Sequence, residues 1–263
     1  MTLVVLGDLM IDVIARASGP LARGSDTPAH VSLEGGGSGA NVVAWAAELN
    51  TPVCFACRVG DDLPGRRAVD TLLAAGVKVH TAVDREWPTG TCVVLVEPGG
   101  ERSMLPDPGA NDAPVDVPDA WLQPGHHLHV VGYALLRDGA RPGALAAIER
   151  ARAAGMTVSV DPSSWALIRP GAIPEVDLLL PNEREAELVE GEMVVKLGAR
   201  GARWGDVHVP AEPVEVVDTT GAGDAFAAGL LGARLNGADR TAALQAGCAA
   251  AARVVSQVGA RPS

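Results

Sequence analysis

Aromatic side chains are nearly missing from this chain: one tyrosine, two phenylalanines and five tryptophans in 263 residues. A core made without them has to be aliphatic and alanine-packed, and a hydrophobic content of 48% is enough to build a large one. Positive charge is also short, with 21 Lys and Arg against 32 Asp and Glu and a net charge of −11. That balance argues against a nucleic-acid or anionic-membrane partner. It does not exclude an anionic substrate, because glycine-rich backbone can hold a phosphate without a net positive surface. Four cysteines are too few for a disulfide scaffold at this length. Cys54 and Cys57 form a C-x-x-C, but they fall on a predicted strand over 53–59. Residues three apart on a strand face opposite ways and do not chelate one metal. No window approaches 18 uninterrupted apolar residues, so no membrane span is expected. The N-terminus lacks a basic leader and reads as a first strand, not a signal peptide. These absences together predict a cytoplasmic protein.

What the chain has instead is glycine, 31 of them, and two clusters stand out. The first to consider is Asp218-Thr219-Thr220-Gly221-Ala222-Gly223-Asp224-Ala225-Phe226. It follows an apolar run over 214–217 that reads as a strand and precedes a run from Ala225 that reads as a helix. The amides of Gly221, Ala222 and Gly223 then lie at a helix N-terminus, where free N–H groups and the helix dipole both favour an anion. Asp224 sits beside them on the first turn. A carboxylate next to an anion hole suits catalysis, taking a proton from a hydroxyl while the amides hold a phosphoryl group. The plain alternative is an acidic N-terminal turn after a glycine-rich loop.

The second cluster is Gly35-Gly36-Gly37-Ser38-Gly39-Ala40-Asn41, which opens an alanine-rich helix. It is neither a Walker A loop nor a complete G-x-G-x-x-G. The two clusters, in this order and about 180 residues apart, resemble the two signatures of the ribokinase-like (PfkB-type) sugar kinase family, and the resemblance runs over nearly the whole chain. It implies a ribokinase-like fold: a doubly wound, mainly parallel α/β sheet flanked by helices, with a small β-sheet lid. Short apolar strands alternating with helices fit such a sheet independently. The core is expected from 1–12, 35–88 and 112–263, and the lid from 13–34 and 89–111.

By position, the resemblance makes Asp224 the general base and the Gly221–Gly223 amides the anion hole. Asp12, Gly36, Gly37 and Asn41 match the family's sugar contacts. A carboxylate such as Asp12 accepts two hydroxyl donors, which suits a polyol. Asn182 and Glu185 match an Asn-x-x-Glu motif that organises Mg²⁺, with Glu185 acting through water. Gly198 and Gly201 match a turn that lines the nucleotide. Asp218 and Thr220 match positions that support a potassium ion in some relatives. The implied reaction moves the γ-phosphoryl group of ATP to a hydroxyl of a small carbohydrate.

Other features are read more plainly. Asp61 and Asp62 precede a helix over about 66–75 and read as its cap. His126, His127 and His129 lead into a strand and lack a nearby carboxylate or cysteine to complete a metal site. That strand ends at Gly132-Tyr133, where ribose-specific members carry a sugar-contacting glutamate, a departure that argues against ribose. The segments 91–96 and 101–105 read as a hairpin around Gly99-Gly100. Arg102 reads as a surface arginine; the alternative, implied by the resemblance to some members, is a place near the sugar site that would bind an acidic or phosphorylated substrate. The strand over 193–197 follows after very few residues where relatives usually have another helix: either 183–190 serves alone as the crossover helix, or a segment is absent from this sequence. Relatives also commonly continue beyond Gly259-Ala260-Arg261-Pro262-Ser263 with a further helix. The exposed edges of a small lid predict pairing of two chains through it. Competing functions are a nucleoside kinase of the same family, a catalytically silent binding protein on this fold, and an NAD(P)-dependent oxidoreductase. The incomplete dinucleotide fingerprint weighs against the last.

Overall fold

Leu3-Val4-Val5-Leu6 is apolar at every position, a pattern that suits a strand covered on both faces. The computed structural model describes residues 1–99 and 101–262 and buries this run as β1 (Leu3–Leu6). The chain then leaves for β2 (Met10–Ala17) and β3 (Ala29–Gly36), and returns through α1 (Ser38–Glu48), β4 (Val53–Gly60), α2 (Leu63–Ala74) and β5 (Lys78–Asp84). A second excursion makes β6 (Gly90–Val96) and β7 (Arg102–Asp107). Next come β8 (His127–Val131), α3 (Tyr133–Leu136), α4 (Arg141–Ala153), β9 (Thr157–Asp161), β10 (Leu178–Leu179) and α5 (Glu183–Ala186). Three short strands, β11 (Val194–Lys196), β12 (Ala202–Trp204) and β13 (Val207–Val209), precede the helices α6 (Ala222–Leu235) and α7 (Arg240–Val255).

The main sheet has the order β10-β9-β8-β1-β4-β5, with every pairing parallel. Its strands alternate between two cores. Leu3, Val5, Phe55 and Cys57 pack with α1, α6 and α7, while Val4, Leu6, Cys54 and Ala56 pack with α4. Cys54 and Cys57 therefore do point to opposite faces, as strand geometry requires. Strand order reverses around β1, so the crevice past the C-terminal ends of β1 and β8 is where an open α/β sheet takes its ligand. Asp8 follows β1 there, and Tyr133 follows β8.

The two excursions meet in a four-stranded lid, ordered β3-β2-β6-β7, with β2 and β6 parallel and both outer pairs antiparallel. Met10, Ile11, Asp12, Gly35 and Gly36 pair within this lid sheet, not the main one. Its inner face is apolar and buried through Met10, Ile14, Cys92, Val94 and Val96. The expected hairpin is present, although Gly100 at its turn lies outside the described residues, as does Ser263.

Several expectations are corrected. The run Val214–Val217 forms no strand. It has no neighbouring strand to pair with; the Val217 amide instead donates to the Val255 carbonyl at the end of α7, 2.7 Å away. Helix α6 starts three residues earlier than its apolar run suggests, because Gly221 adopts φ 77° and caps it in the left-handed region. The crossover after β10 is a single turn, α5, after which Met193 bridges directly back to Leu179. Helix α2 begins at Leu63, where the Asp62 side chain accepts from the Gly65 amide at 2.8 Å. Such a cap contributes about 1 kcal/mol. His127 and His129 are buried between β8 and β9 on the hydroxyls of Thr157 and Ser159 at 2.7–2.8 Å.

Candidate active site

The lid and the C-terminal ends of the main sheet enclose a cleft of about 1020 Å³. Asp224 lines it. One carboxylate oxygen accepts from the Ser38 hydroxyl, and the other accepts from the Asn41 amide at 2.9 Å. Both donors come from the first turn of α1, so the two glycine clusters of the sequence meet head to head. Gly37 makes this possible: at φ 90°, a Cβ there would lie 2.7 Å from the Asp8 carbonyl. Burial pushes the Asp224 carboxyl up to about 7, against the pull of the Ser38 and Asn41 hydrogen bonds; Asp161 raises it further and Lys196 lowers it. A carboxyl poised near neutral pH is what a general base needs.

The helix end beside it fits an anion. The Ala222 amide donates to the Thr219 carbonyl at 3.3 Å, whereas among the described residues no protein acceptor meets the amides of Gly221 and Gly223. Lys196, at the end of β11, approaches the same place. Its ammonium lies 3.3 Å from where a Cβ on Gly223 would stand, and it donates to Asp161 at 2.5 Å. Burial disfavours the charged lysine, but Asp161, Glu185 and Asp224 together keep its pKa raised. Lys196 and Asp161 were not singled out from sequence, because neither belongs to a recognisable cluster; the strands β9 and β11 bring them together.

The residues that match the family's sugar contacts are also brought together. Asp12, Gly37 and Asn41 line the cleft, with Asp8 and Tyr133 beside them. Gly36 stands one layer back: a Cβ on it would sit 2.1 Å from the Asp12 carboxylate, so its role is to make room for that side chain. Burial raises Asp12 to about 6, opposed by Arg261. Arg261 is the residue that sequence reading passed over here. Its Nε donates to Asn41 Oδ1 at 3.1 Å and its Nη2 to the Gly36 carbonyl at 2.6 Å. Occupying Oδ1 in this way turns the Asn41 amide nitrogen toward Asp224. Burial lowers Arg261 to about 10, while Asp12, Asp224 and Asp8 hold it up. The C-terminal turn that carries it is fastened by Trp45, whose Nε1 donates to the Ala260 carbonyl at 2.8 Å.

On the opposite side, Gly198 and Gly201 border the cleft together with Ala211, Val214 and Val216. The valines predicted as a strand are thus a wall, continued by Ala251, Ala252 and Val255 of α7. Asn182 and Glu185 border it too, but their polar atoms serve α5 as a reciprocal cap. The Asn182 amide donates to Glu185 Oε2 at 2.8 Å and the Glu185 amide donates to Asn182 Oδ1 at 3.0 Å. Glu185 Oε1 has no protein donor among the described residues. Burial raises the Glu185 carboxyl, and Asp161 adds to that.

Asp218 and Thr220 do not stand free. Both side chains are bonded by Arg102, reaching in from β7 of the lid. Arg102 is therefore an interior contact between lid and core, not the surface residue its position in a hairpin suggests.

Comparison with known proteins agrees with this geometry. The profile of the pfkB family carbohydrate kinases matches residues 1–263. The chain is 34% identical to an ATP-dependent ribose-1-phosphate kinase of Halopiger xanaduensis over 92% of this chain and 87% of that one. It is 33% identical to a fructokinase of Klebsiella pneumoniae, over 86% and 82%. Among solved structures, adenosine kinase from Sinorhizobium meliloti superposes with a TM-score of 0.83 at 26% identity, covering 99% of this chain and 95% of that one. With the family profile matched over its whole length, the chain belongs to the pfkB family of carbohydrate kinases.

Proposed function

We propose that this kinase transfers the γ-phosphoryl group of ATP to a hydroxyl of a small carbohydrate, with Asp224 as the general base. The observation that carries the proposal is the side-by-side placement in one cleft of the Asp224 carboxylate, held by Ser38 and Asn41, and helix amides that meet no protein acceptor among the described residues. Asp12 and Asn41 bind acceptor hydroxyls. Asp224 removes the proton as the oxygen attacks phosphorus. The amides of Gly221 and Gly223, with Lys196, take up charge on the transferring oxygens. Ser38 and Asn41 hold the Asp224 carboxylate in line, and Arg261 holds Asn41.

The Gly198–Gly201 turn and the Val214–Val216 wall receive the nucleoside of ATP. The residues present fit Mg²⁺, since it is usually held by one or two carboxylates plus substrate phosphates and keeps several waters. Glu185, which borders the cleft and whose Oε1 meets no protein donor among the described residues, is the group that would hold it; the ion would supply neutralisation of phosphate charge. The lid excludes water, which otherwise accepts the phosphoryl group. Four buried free thiols suit a reducing compartment, and we place the enzyme in the cytoplasm. We also propose a homodimer through the lid. Leu33, Val13, Val93 and Leu105 form an apolar row across its outer face, with Leu33 71% and Leu105 63% exposed. A strict monomer in light scattering at working concentration rejects that dimer.

A second reading is a nucleoside acceptor. The lid contributes Met10, Val94, Met104 and Pro106 to the cleft, an apolar underside that a base can lie against. One experiment tests both: ATP consumption across sugars, phosphosugars, sugar acids and nucleosides. Turnover with a sugar supports the first reading, turnover with nucleosides alone the second, and none with any acceptor overturns both.

A further inference from the structure

The loop ahead of the anion hole is organised around one buried carboxylate. Asp218 is 5% exposed. Its Oδ1 accepts from the Thr220 amide at 2.8 Å and its Oδ2 from the Gly259 amide at 3.0 Å, so it fastens both the turn leading to Gly221 and the C-terminal turn that carries Arg261. Two amides do not neutralise a buried charge, and such a group is costly unless a cation meets it. The cation present belongs to the chain. One guanidinium nitrogen of Arg102 contacts both Asp218 Oδ1 and Thr220 Oγ1. Burial would raise the Asp218 carboxyl, but the Arg102 bond and the two amides hold it well below the ordinary carboxylate range. Relatives are expected to support potassium here through backbone and side-chain oxygens, and the side-chain oxygens of both residues are already engaged by a fixed positive charge. A second cation between them would face that guanidinium at contact distance, so the residues present do not fit potassium there. The other charged groups bordering this small space are Asp12, Arg16 and Glu34. None of them makes a salt bridge to Asp218.

We infer that Arg102 is an internal substitute for a monovalent cation: it supplies, from the lid, the charge that holds the anion-hole loop, and the enzyme works without potassium. The inference rests on reading the Gly221 and Gly223 amides as the phosphoryl site. Arg102 acts through Asp218 and is a positioning residue.

The test compares the wild-type chain and Arg102→Met at equal ionic strength in potassium, sodium or tetramethylammonium chloride. Wild-type kcat and melting temperature should be the same in all three within twofold and about 1 °C, and ²⁰⁵Tl NMR should show no bound thallium. Arg102→Met keeps the apolar stem and loses the charge. Its kcat should fall at least tenfold in tetramethylammonium and recover partly in potassium, with a potassium-dependent rise in melting temperature that tetramethylammonium does not give. Arg102→Lys should retain most of the wild-type rate without potassium. Activation of the wild type by tenfold or more in potassium, or thallium bound by it, overturns the inference; so does an Arg102→Met enzyme with full activity in tetramethylammonium. If the Met variant does not fold, the wild-type series decides alone. If no acceptor is turned over, thallium binding and melting temperature still judge Arg102, separately from the kinase reading.

Discussion

The two ends of the cleft are built in opposite ways. The acceptor end collects charged and polar side chains from β2, α1, α6 and the C-terminal turn, and buries them so far that Asp224 and Asp12 are pushed up to about 7 and 6. The end proposed for the nucleotide is glycine backbone and small apolar side chains, with Val214, Val216 and Val217 41%, 61% and 51% exposed along the approach to it. An apolar wall can bind a flat base by contact alone. A hydroxyl that must also lose a proton needs oriented acceptors and a tuned base, which only a dry, crowded site provides. If this division is right, substitutions at one end should leave the other end's substrate almost untouched.

The largest effect should come from Asp224→Asn, which keeps size and polarity but removes the base. We expect kcat to fall by roughly 10²–10⁴ with dissociation constants for acceptor and ATP near wild type, measured by steady-state kinetics and calorimetry. A near wild-type kcat would remove Asp224 from the mechanism. The wild-type pH profile sharpens the same point. The active form is the carboxylate, so kcat should rise with pH through about 7 and level off above it. A rate independent of pH between 5 and 8 contradicts the assignment.

Asp12→Ala should cost about 1.5–3 kcal/mol of acceptor binding with the KM for ATP unchanged. Arg261→Ala should cost less, about 1–2 kcal/mol, read as lower kcat and weaker acceptor binding together, because Asn41 loses its orientation toward Asp224. On the other side, Val216→Asp should raise the KM for ATP by about tenfold and leave acceptor affinity alone.

The smallest effect concerns stability. A carboxyl whose folded pKa lies above its unfolded value favours the fold only while protonated. Wild-type stability should therefore decline as pH rises from about 4 through 7, where Asp224 ionises in the native state. Asp224→Asn removes that loss. At pH 8 it should be more stable than wild type by about 1–2 kcal/mol, a figure reduced because the side chain borders the open cleft, and near pH 4 the gap should close. Thermal melts at the two pH values measure the difference.

How much of this was legible beforehand follows from what each feature depends on. Gly35–Asn41 and Gly221–Asp224 announce themselves locally, because a sharp turn with close backbone approach needs glycine and a helix start needs a cap. The buried strands were readable for the same reason: a run such as Leu3–Leu6 suits only a place covered on both faces. The Val214–Val217 run misled because β-branched residues fit a cleft wall as well as a strand, and only the presence or absence of a neighbouring strand decides between them. Sequence by itself thus determined the sheet, the two glycine turns and the aspartate that follows one of them. The tertiary structure alone decided that Arg261 would orient Asn41 from 220 positions away, that Lys196 would reach Gly223 and Asp161, and that Arg102 would sit on Asp218. These are contacts of single long side chains across the fold. Nothing in the residues next to them distinguishes an arginine bound for solvent from one bound for a buried carboxylate.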